Sequence, residues 1–171
     1  EMIIRANSRS PDLVMGDIRG QLGCGWLGSE RIRELVGKYG RKTIDQAIVQ
    51  RIANVEQIIR SEFIHWKDGH ASGDRLLDDD GVRVGKPIQI AVTVHKNHDR
   101  IVFDFSESDD QAVGPANIRP SLVKAACGYV VISSLGKDIT TNQGVLNSIE
   151  IRTRPGSILE PELPAPMNTY N

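Results

Sequence analysis

Apolar side chains in the first third of the chain recur at helical spacing. Between Ile44 and Phe63 they follow one another three or four positions apart, which is typical of one face of an α-helix. Thr43 and Gln46 have the spacing of a capping box at the start of this stretch. We therefore predict a helix that ends near Phe63 and buries one apolar stripe. The stripe consists of Ile44, Ile48, Ile52, Val55, Ile59 and Phe63.

A second predicted helix precedes this one. Ser10, Pro11 and Asp12 form a typical helix start, and Gly40 follows the last residue, Tyr39. Because the linker between the two helices is short, we expect an antiparallel helix hairpin within residues 1–67. Glycines interrupt the first helix, so we expect either a bend or the close approach of another backbone. These glycines are Gly16, Gly20, Gly23, Gly25 and Gly28.

The apolar period changes from helical to alternating after residue 68. In residues 88–94 and 101–105 every second side chain is a large apolar one, and the two stretches flank a polar turn at 97–99, which predicts an antiparallel β-hairpin. A further helix is expected from Pro120 to Leu135, followed by a short strand at 148–153. The sequence thus predicts an α+β protein, with a helix hairpin over 1–67 and a sheet with a further packed helix over 68–171. We expect the two parts to form one compact unit.

Composition and charge narrow the classes of partner. The chain has 21 basic and 22 acidic residues, mixed along its length, and a net charge of −1. Because no surface of one sign is indicated, we expect neither nucleic acid nor an anionic membrane as a partner. No apolar stretch is long enough to span a bilayer and the N-terminus does not resemble a signal peptide, so a soluble cytoplasmic protein is expected. Cys24 and Cys127 are predicted to be buried, reduced thiols.

Two groups of residues could in principle hold a metal ion. His65 and His70 lie on either side of Asp68, with Asp74 beyond, but capping and turn roles explain these residues more simply. The run 78–81 has three aspartates and a glycine without the ligand spacing of a calcium loop, so we interpret it as a turn. The sequence therefore predicts no metal site. It also contains no phosphate-binding loop and no nucleophile motif that would identify catalytic residues.

Polar residues in loops and at strand ends indicate a possible binding surface. Asp104 lies on the outward face of a predicted strand, and Asn117 and Arg119 precede the helix at Pro120. Asn142 lies in a second polar loop. Together these residues could present a carboxylate, amides and a guanidinium to a carbonyl or anionic group. They could equally cap turns and form interdomain salt bridges, so we predict a substrate or interdomain surface.

Seven short runs, spread over the whole chain, resemble the B-type subunits of the hydantoinase, oxoprolinase and ketone carboxylase family. The runs are Gly16-Asp17-Ile18-Arg19-Gly20-Gln21, Leu77-Asp78-Asp79-Asp80-Gly81, Phe103-Asp104-Phe105-Ser106, Gly114-Pro115-Ala116-Asn117, Asn142-Gln143-Gly144, Pro155-Gly156-Ser157-Ile158-Leu159-Glu160-Pro161 and Pro164-Ala165-Pro166-Met167-Asn168.

The resemblance implies an ATP-dependent enzyme complex that hydrolyses lactams or hydantoins, or carboxylates ketones. In such complexes an A-type subunit handles ATP, and a divalent metal is expected in the B-type subunit, bound by a His/Asp segment upstream of this region. The resemblance therefore implies that this chain is a central fragment that binds no cofactor, is inactive alone and belongs to an oligomer. The alternative is a non-catalytic scaffold or assembly module of such a complex.

Overall fold

The computed structural model describes residues 1–136 and 138–167. It divides into two compact units, Glu1–Gln50 and Arg51–Asn171, so the division falls inside a helix, whereas the sequence pattern placed a boundary after residue 67. Asn168, the last residue of the proline-rich run, lies outside the described residues. None of the described helices is long and apolar enough to cross a membrane.

The first unit contains helices only. Helix α1 spans Met2–Ala6, α2 spans Pro11–Tyr39 and α3 begins at Arg41 and continues into the second unit as far as Phe63. Helix α2 has the predicted bounds, and the chain leaves it at Gly40, whose φ of 80° lies in the region that favours glycine. Ser10 precedes α2 without a side-chain cap hydrogen bond. Because α3 starts two residues before Thr43, the predicted capping box is not at the helix start.

The apolar side chains of the first unit are mostly exposed, which corrects the predicted packing. Leu22 is 69% exposed, Trp26 68% and Ile48 53%, so the apolar stripes of α2 and early α3 are not packed against one another. A Cβ added to any of the five glycines at positions 16–28 of α2 would meet no atom within 4 Å. The helical spacing predicted the helices correctly, but it did not determine what covers their apolar faces. These glycines are Gly16, Gly20, Gly23, Gly25 and Gly28.

The second unit is built on a four-stranded sheet, in the order β1-β2-β3-β4. The strands are β1 (Gly69–Leu77), β2 (Ile88–Asn97), β3 (Arg100–Asp104) and β4 (Ile149–Arg152). The first three are antiparallel neighbours, which confirms the predicted hairpin, and β4 pairs parallel with β3. Helices α4 (Pro120–Leu135) and α5 (Gln143–Asn147) lie between β3 and β4 in the chain. The predicted α+β class is confirmed.

One hydrophobic core joins the inner face of the sheet to the helices of the second unit. Ile59 and Phe63 of α3 are fully buried, and Val131 of α4 is 2% exposed. Of the predicted apolar stripe on α3, therefore, only the residues from Val55 onward lie in the core. Ile52 is half-buried. The other core members are Ile101, Phe103, Ala112, Ala116, Val123, Cys127, Leu135, Val145, Ile158 and Leu159.

Candidate functional site

The outward face of the sheet carries polar side chains from all four strands. Side chains alternate between the faces of a strand, and directly paired residues share a face. Because Asp104 pairs with Thr93 on β2 and with Arg152 on β4, these three residues lie on the face opposite the core residue Phe103. His70 and His95 pair on the same face.

Asp104 is the acidic centre of this face. Its Oδ1 accepts a hydrogen bond from the Ser106 N–H at 2.9 Å. The Ser106 hydroxyl is the largest cause of a lowered pKa for Asp104, followed by the Ser106 backbone N–H, with smaller contributions from Arg152 and His95. The lowered pKa favours the negatively charged form of Asp104. The neighbouring Arg152 guanidinium also pairs with Glu150, at 2.7 Å. Such a face can bind a polar group by charge and hydrogen bonding.

A pair of histidines lies beside Asp104, which the sequence reasoning did not identify. The rings of His70 and His95 are stacked with centroids 6.0 Å apart. Next to them, the hydroxyl oxygens of Ser72 and Thr93 lie 2.9 Å apart. The β1–β2 register determines this pair. The sequence of β1 lacks the apolar alternation that would have predicted the strand and its register. No group of three or more metal ligands occurs among the described residues.

Asp68, which lies between His65 and His70 in the sequence, stabilises the β2–β3 hairpin by hydrogen bonds. Its Oδ1 accepts hydrogen bonds from Lys96 Nζ at 2.6 Å and from the His98 N–H at 2.9 Å. The lowered pKa of Asp68 has Lys96 as its main cause. Asp74, the other acid of that candidate group, accepts from Gln89 Nε2 at 3.2 Å. Both carboxylates thus connect β1 or the loop before it to β2.

Asn117 lies in the core rather than at an open surface. Its side chain is 1% exposed. Its Oδ1 accepts from the Ala112 N–H at 2.8 Å, and its Nδ2 donates to the carbonyl oxygens of Ala112 and Pro166, both at 2.9 Å. The amide thereby ties the 112–117 loop to the C-terminal segment. All of these contacts are to the protein's own backbone. A substrate role for Asn117 stays a prediction.

Arg119 and Asn142 lie at the starts of two helices. Arg119 precedes α4 in an extended conformation and is exposed. Asn142 caps α5, because its Oδ1 accepts from the Gly144 N–H at 2.7 Å, and its Nδ2 donates to the Arg51 carbonyl at 3.2 Å. Gly144 fits there only without a Cβ, which would lie 2.3 Å from the Ile52 carbonyl oxygen. Within the described part of the chain, no side-chain hydrogen bond joins any two of the four predicted site residues.

Asp80 is a second buried connector, within the predicted 78–81 turn. Its carboxylate accepts from the N–H groups of Arg83 at 2.5 Å, Gly114 at 3.0 Å and Val82 at 2.9 Å. These three hydrogen bonds lower the pKa of Asp80 to about 2, and the bond from the Arg83 N–H has the largest effect. The turn glycine, Gly81, has the expected positive φ of 77°. The acidic run thus joins the loop after β1 to the 112–117 loop.

The family model for hydantoinase B/oxoprolinase matches residues 1–171. A protein of Pseudomonas sp. (strain NS671), named as the B-type subunit of a D-/L-hydantoinase, is 26% identical over 174 residues, covering 96% of this chain and 29% of that protein. The 5-oxoprolinase of Dictyostelium discoideum is 26% identical over 156 residues, covering 90% of this chain and 12% of that enzyme. The chain thus spans less than a third of the length of each of these relatives.

A solved structure has the same fold. The crystal structure of the ATP-dependent caprolactamase from Pseudomonas jessenii superposes with a TM-score of 0.79 over 96% of this chain and 28% of that one. The sequence identity is 22%, so this likeness concerns the fold alone.

Proposed function

The chain belongs to the hydantoinase B/oxoprolinase family, and from that premise we propose that it forms part of a B-type subunit in an ATP-dependent enzyme. The substrates would be cyclic amides or, in the carboxylating branch, ketones. The family match over residues 1–171 is the observation that carries this proposal. An A-type partner subunit would supply the ATP chemistry, and a divalent metal would act in the complete complex.

Within that subunit we assign the second unit to one wall of the reaction chamber. The outward sheet face supports this assignment, because Asp104 lies there with Thr93 and Arg152 as its paired neighbours, and the His70–His95 pair lies two residues further along β2 on the same face. Asp80 and Asn117 support it indirectly, since each fixes a loop of the second unit by several hydrogen bonds. Rigid loops and paired strands hold polar groups in place at low entropic cost when a substrate binds.

The second candidate function is a non-catalytic assembly module. The exposure of Leu22 and Trp26 on α2 favours it, because large exposed apolar side chains commonly form contacts with another protein. In this case the α2 face would hold a neighbouring part of the complex, and the sheet face would have no role in the reaction.

Two variants of the complete complex separate the candidates. If the sheet face is a chamber wall, Asp104→Asn should lower kcat/KM for ATP-dependent ring opening by about tenfold or more without changing assembly. Glu107→Gln, an exposed acid three residues away, is the matched control and should retain full activity. If the chain is only an assembly module, Asp104→Asn should be silent and Trp26→Asp should dissociate the complex, as measured by size-exclusion chromatography with light scattering.

A further inference from the structure

A groove opens between α4 and α5, apart from the sheet face. The two helices approach closely at Gly128, where an added Cβ would lie 3.3 Å from Leu146 Cδ2 and 3.6 Å from Val145 Cγ1. Beside this contact the groove encloses about 480 Å³. Pockets for small organic molecules typically measure roughly 300–1,000 Å³, so the groove has the size of a ligand site.

The lining of the groove combines apolar side chains with one unpaired cation. Ala125, Ile132, Val145 and Leu146 provide apolar surface. Lys124 also lines it and is the one charged residue of α4. Within residues 1–136 and 138–167, no hydrogen bond or ion pair engages the Lys124 ammonium group, and no carboxylate lines the groove.

The other polar lining residues are uncharged: Tyr129 and Thr141 carry hydroxyl groups, and Asn142 and Gln143 carry amides. Asn142 uses both ends of its side-chain amide within the protein, and Gln143 Nε2 donates to Asn147 Oδ1 at 3.3 Å. Lys124 is the one charged residue of this lining, so its ammonium group is the strongest partner there for an anionic group. An ammonium group next to apolar surface selects an anion that carries a hydrocarbon body.

The short α5 favours a small molecule over a helix of another protein. Helix α5 has five residues, so that wall is only about 8 Å long at roughly 1.5 Å per residue. A helix that docks in a groove contacts it at positions i, i+3, i+4 and i+7, which needs a longer groove of roughly 10 Å or more.

We infer that the α4–α5 groove binds a small carboxylate with an apolar ring or chain, whose carboxylate pairs with Lys124 and whose hydrocarbon part contacts Ile132, Val145 and Leu146. The inference rests on the groove alone and does not depend on the function proposed above.

The test is a titration of the ¹⁵N-labelled protein with three cyclohexyl probes, in which the backbone amide chemical shifts are measured by NMR. Cyclohexanecarboxylate should shift residues 124–132 and 141–146, with a dissociation constant in the millimolar range expected for so small a ligand. Cyclohexanol and cyclohexylamine, which lack the negative charge, should bind about fivefold more weakly or not at all.

Two variants and one control sharpen the result. Lys124→Gln should reduce carboxylate affinity to that of cyclohexanol. Ala125→Trp starts from an exposed position and should fill the groove and abolish binding, while unchanged amide shifts in β1–β4 would show that the fold is intact. Lys42→Gln removes the same charge from an exposed site in the first unit and should change nothing.

Several outcomes would overturn the inference. One is the absence of amide shift changes at probe concentrations up to about 50 mM, roughly ten times the dissociation constant expected for a ligand of this size. The others are shift changes that map outside the groove, and equal affinity for the carboxylate and the alcohol. Shifts at 124–146 that grow with protein concentration in the absence of a probe would instead assign the groove to a second copy of this chain.

Discussion

The backbone carbonyl oxygen of Asp80 lies 1.9 Å from the position that a Cβ would take at Gly114. The same two residues are joined by a hydrogen bond from the Gly114 N–H to Asp80 Oδ2 at 3.0 Å. The loop after β1 and the 112–117 loop therefore touch through their backbones. Since the obstructing atom belongs to the main chain, a side chain at position 114 cannot be accommodated by a rotamer change.

Gly114→Ala should destabilise the second unit by about 2–3 kcal/mol, because the added methyl group forces two backbone segments apart. Gly73→Ala is the matched control in the same unit, since a Cβ there would meet no atom within 4 Å. It should change the free energy of unfolding by less than about 1 kcal/mol. Urea unfolding of the two variants measures both values, and equal losses would contradict the Asp80–Gly114 contact.

Asp80 should also make stability depend on acid pH. Its pKa is about 2 in the folded protein and 3.8 for an ordinary aspartate, so the folded state favours the carboxylate. This stabilisation is fully present above about pH 4 and is lost as the pH falls toward 2. Asp80→Asn should therefore lower the urea midpoint at pH 7, with a difference from wild type that shrinks between pH 4 and pH 2. Asp78→Asn, an exposed neighbour, should follow the wild-type pH profile.

The two ends of the apolar stripe on α3 should respond differently to the same substitution. Ile59 is 0% exposed and Ile48 is 53% exposed. Ile59→Ala should cost about 2–5 kcal/mol of stability through lost burial and a residual cavity. Ile48→Ala should change it by less than about 0.5 kcal/mol. Thermal or urea unfolding decides, and a comparable loss at both positions would mean that Ile48 is covered in solution.

The two cysteines should differ sharply in reactivity. Both are free, but Cys24 is exposed and Cys127 is buried. Burial raises the pKa of the Cys127 thiol to about 11, so at pH 8 only about one molecule in a thousand carries the reactive thiolate. Iodoacetamide should label Cys24 in the folded protein and Cys127 only after unfolding. Mass spectrometry of digested samples measures each site, and rapid labelling of Cys127 under native conditions would contradict its burial.

Features with a local cause were predictable from the sequence. The bounds of α2 at Pro11 and Tyr39 follow from the proline at its start and the glycine after its end. The β2–β3 hairpin follows from alternating side chains around a short polar turn. Burial was less predictable, because Ile48, Leu22 and Cys24 satisfy a helical or apolar pattern and yet are exposed.

Features with a distant cause were not predictable. Asn117 resembles an ordinary loop residue, but one of its partners is Pro166, almost fifty residues later. Strand β1 begins with Gly69, His70 and Ala71, which have no apolar alternation, and only its pairing with β2 makes it a strand. The His70–His95 pair depends on that pairing, so the candidate surface around Asp104 could be assembled only from the structure.

The parallel pairing of β3 with β4 has a consequence for the order of folding. Ile101 and Ile149 are paired neighbours, although α4 and α5 lie between them in the chain. The β2–β3 hairpin closes a turn of a few residues, whereas β4 must first close a loop of almost fifty, at a greater entropic cost. Contacts of long range form more slowly. Amides of β2 and β3 should therefore gain protection from pulsed hydrogen exchange before those of β4, and the sheet edge that carries Arg152 should be completed last.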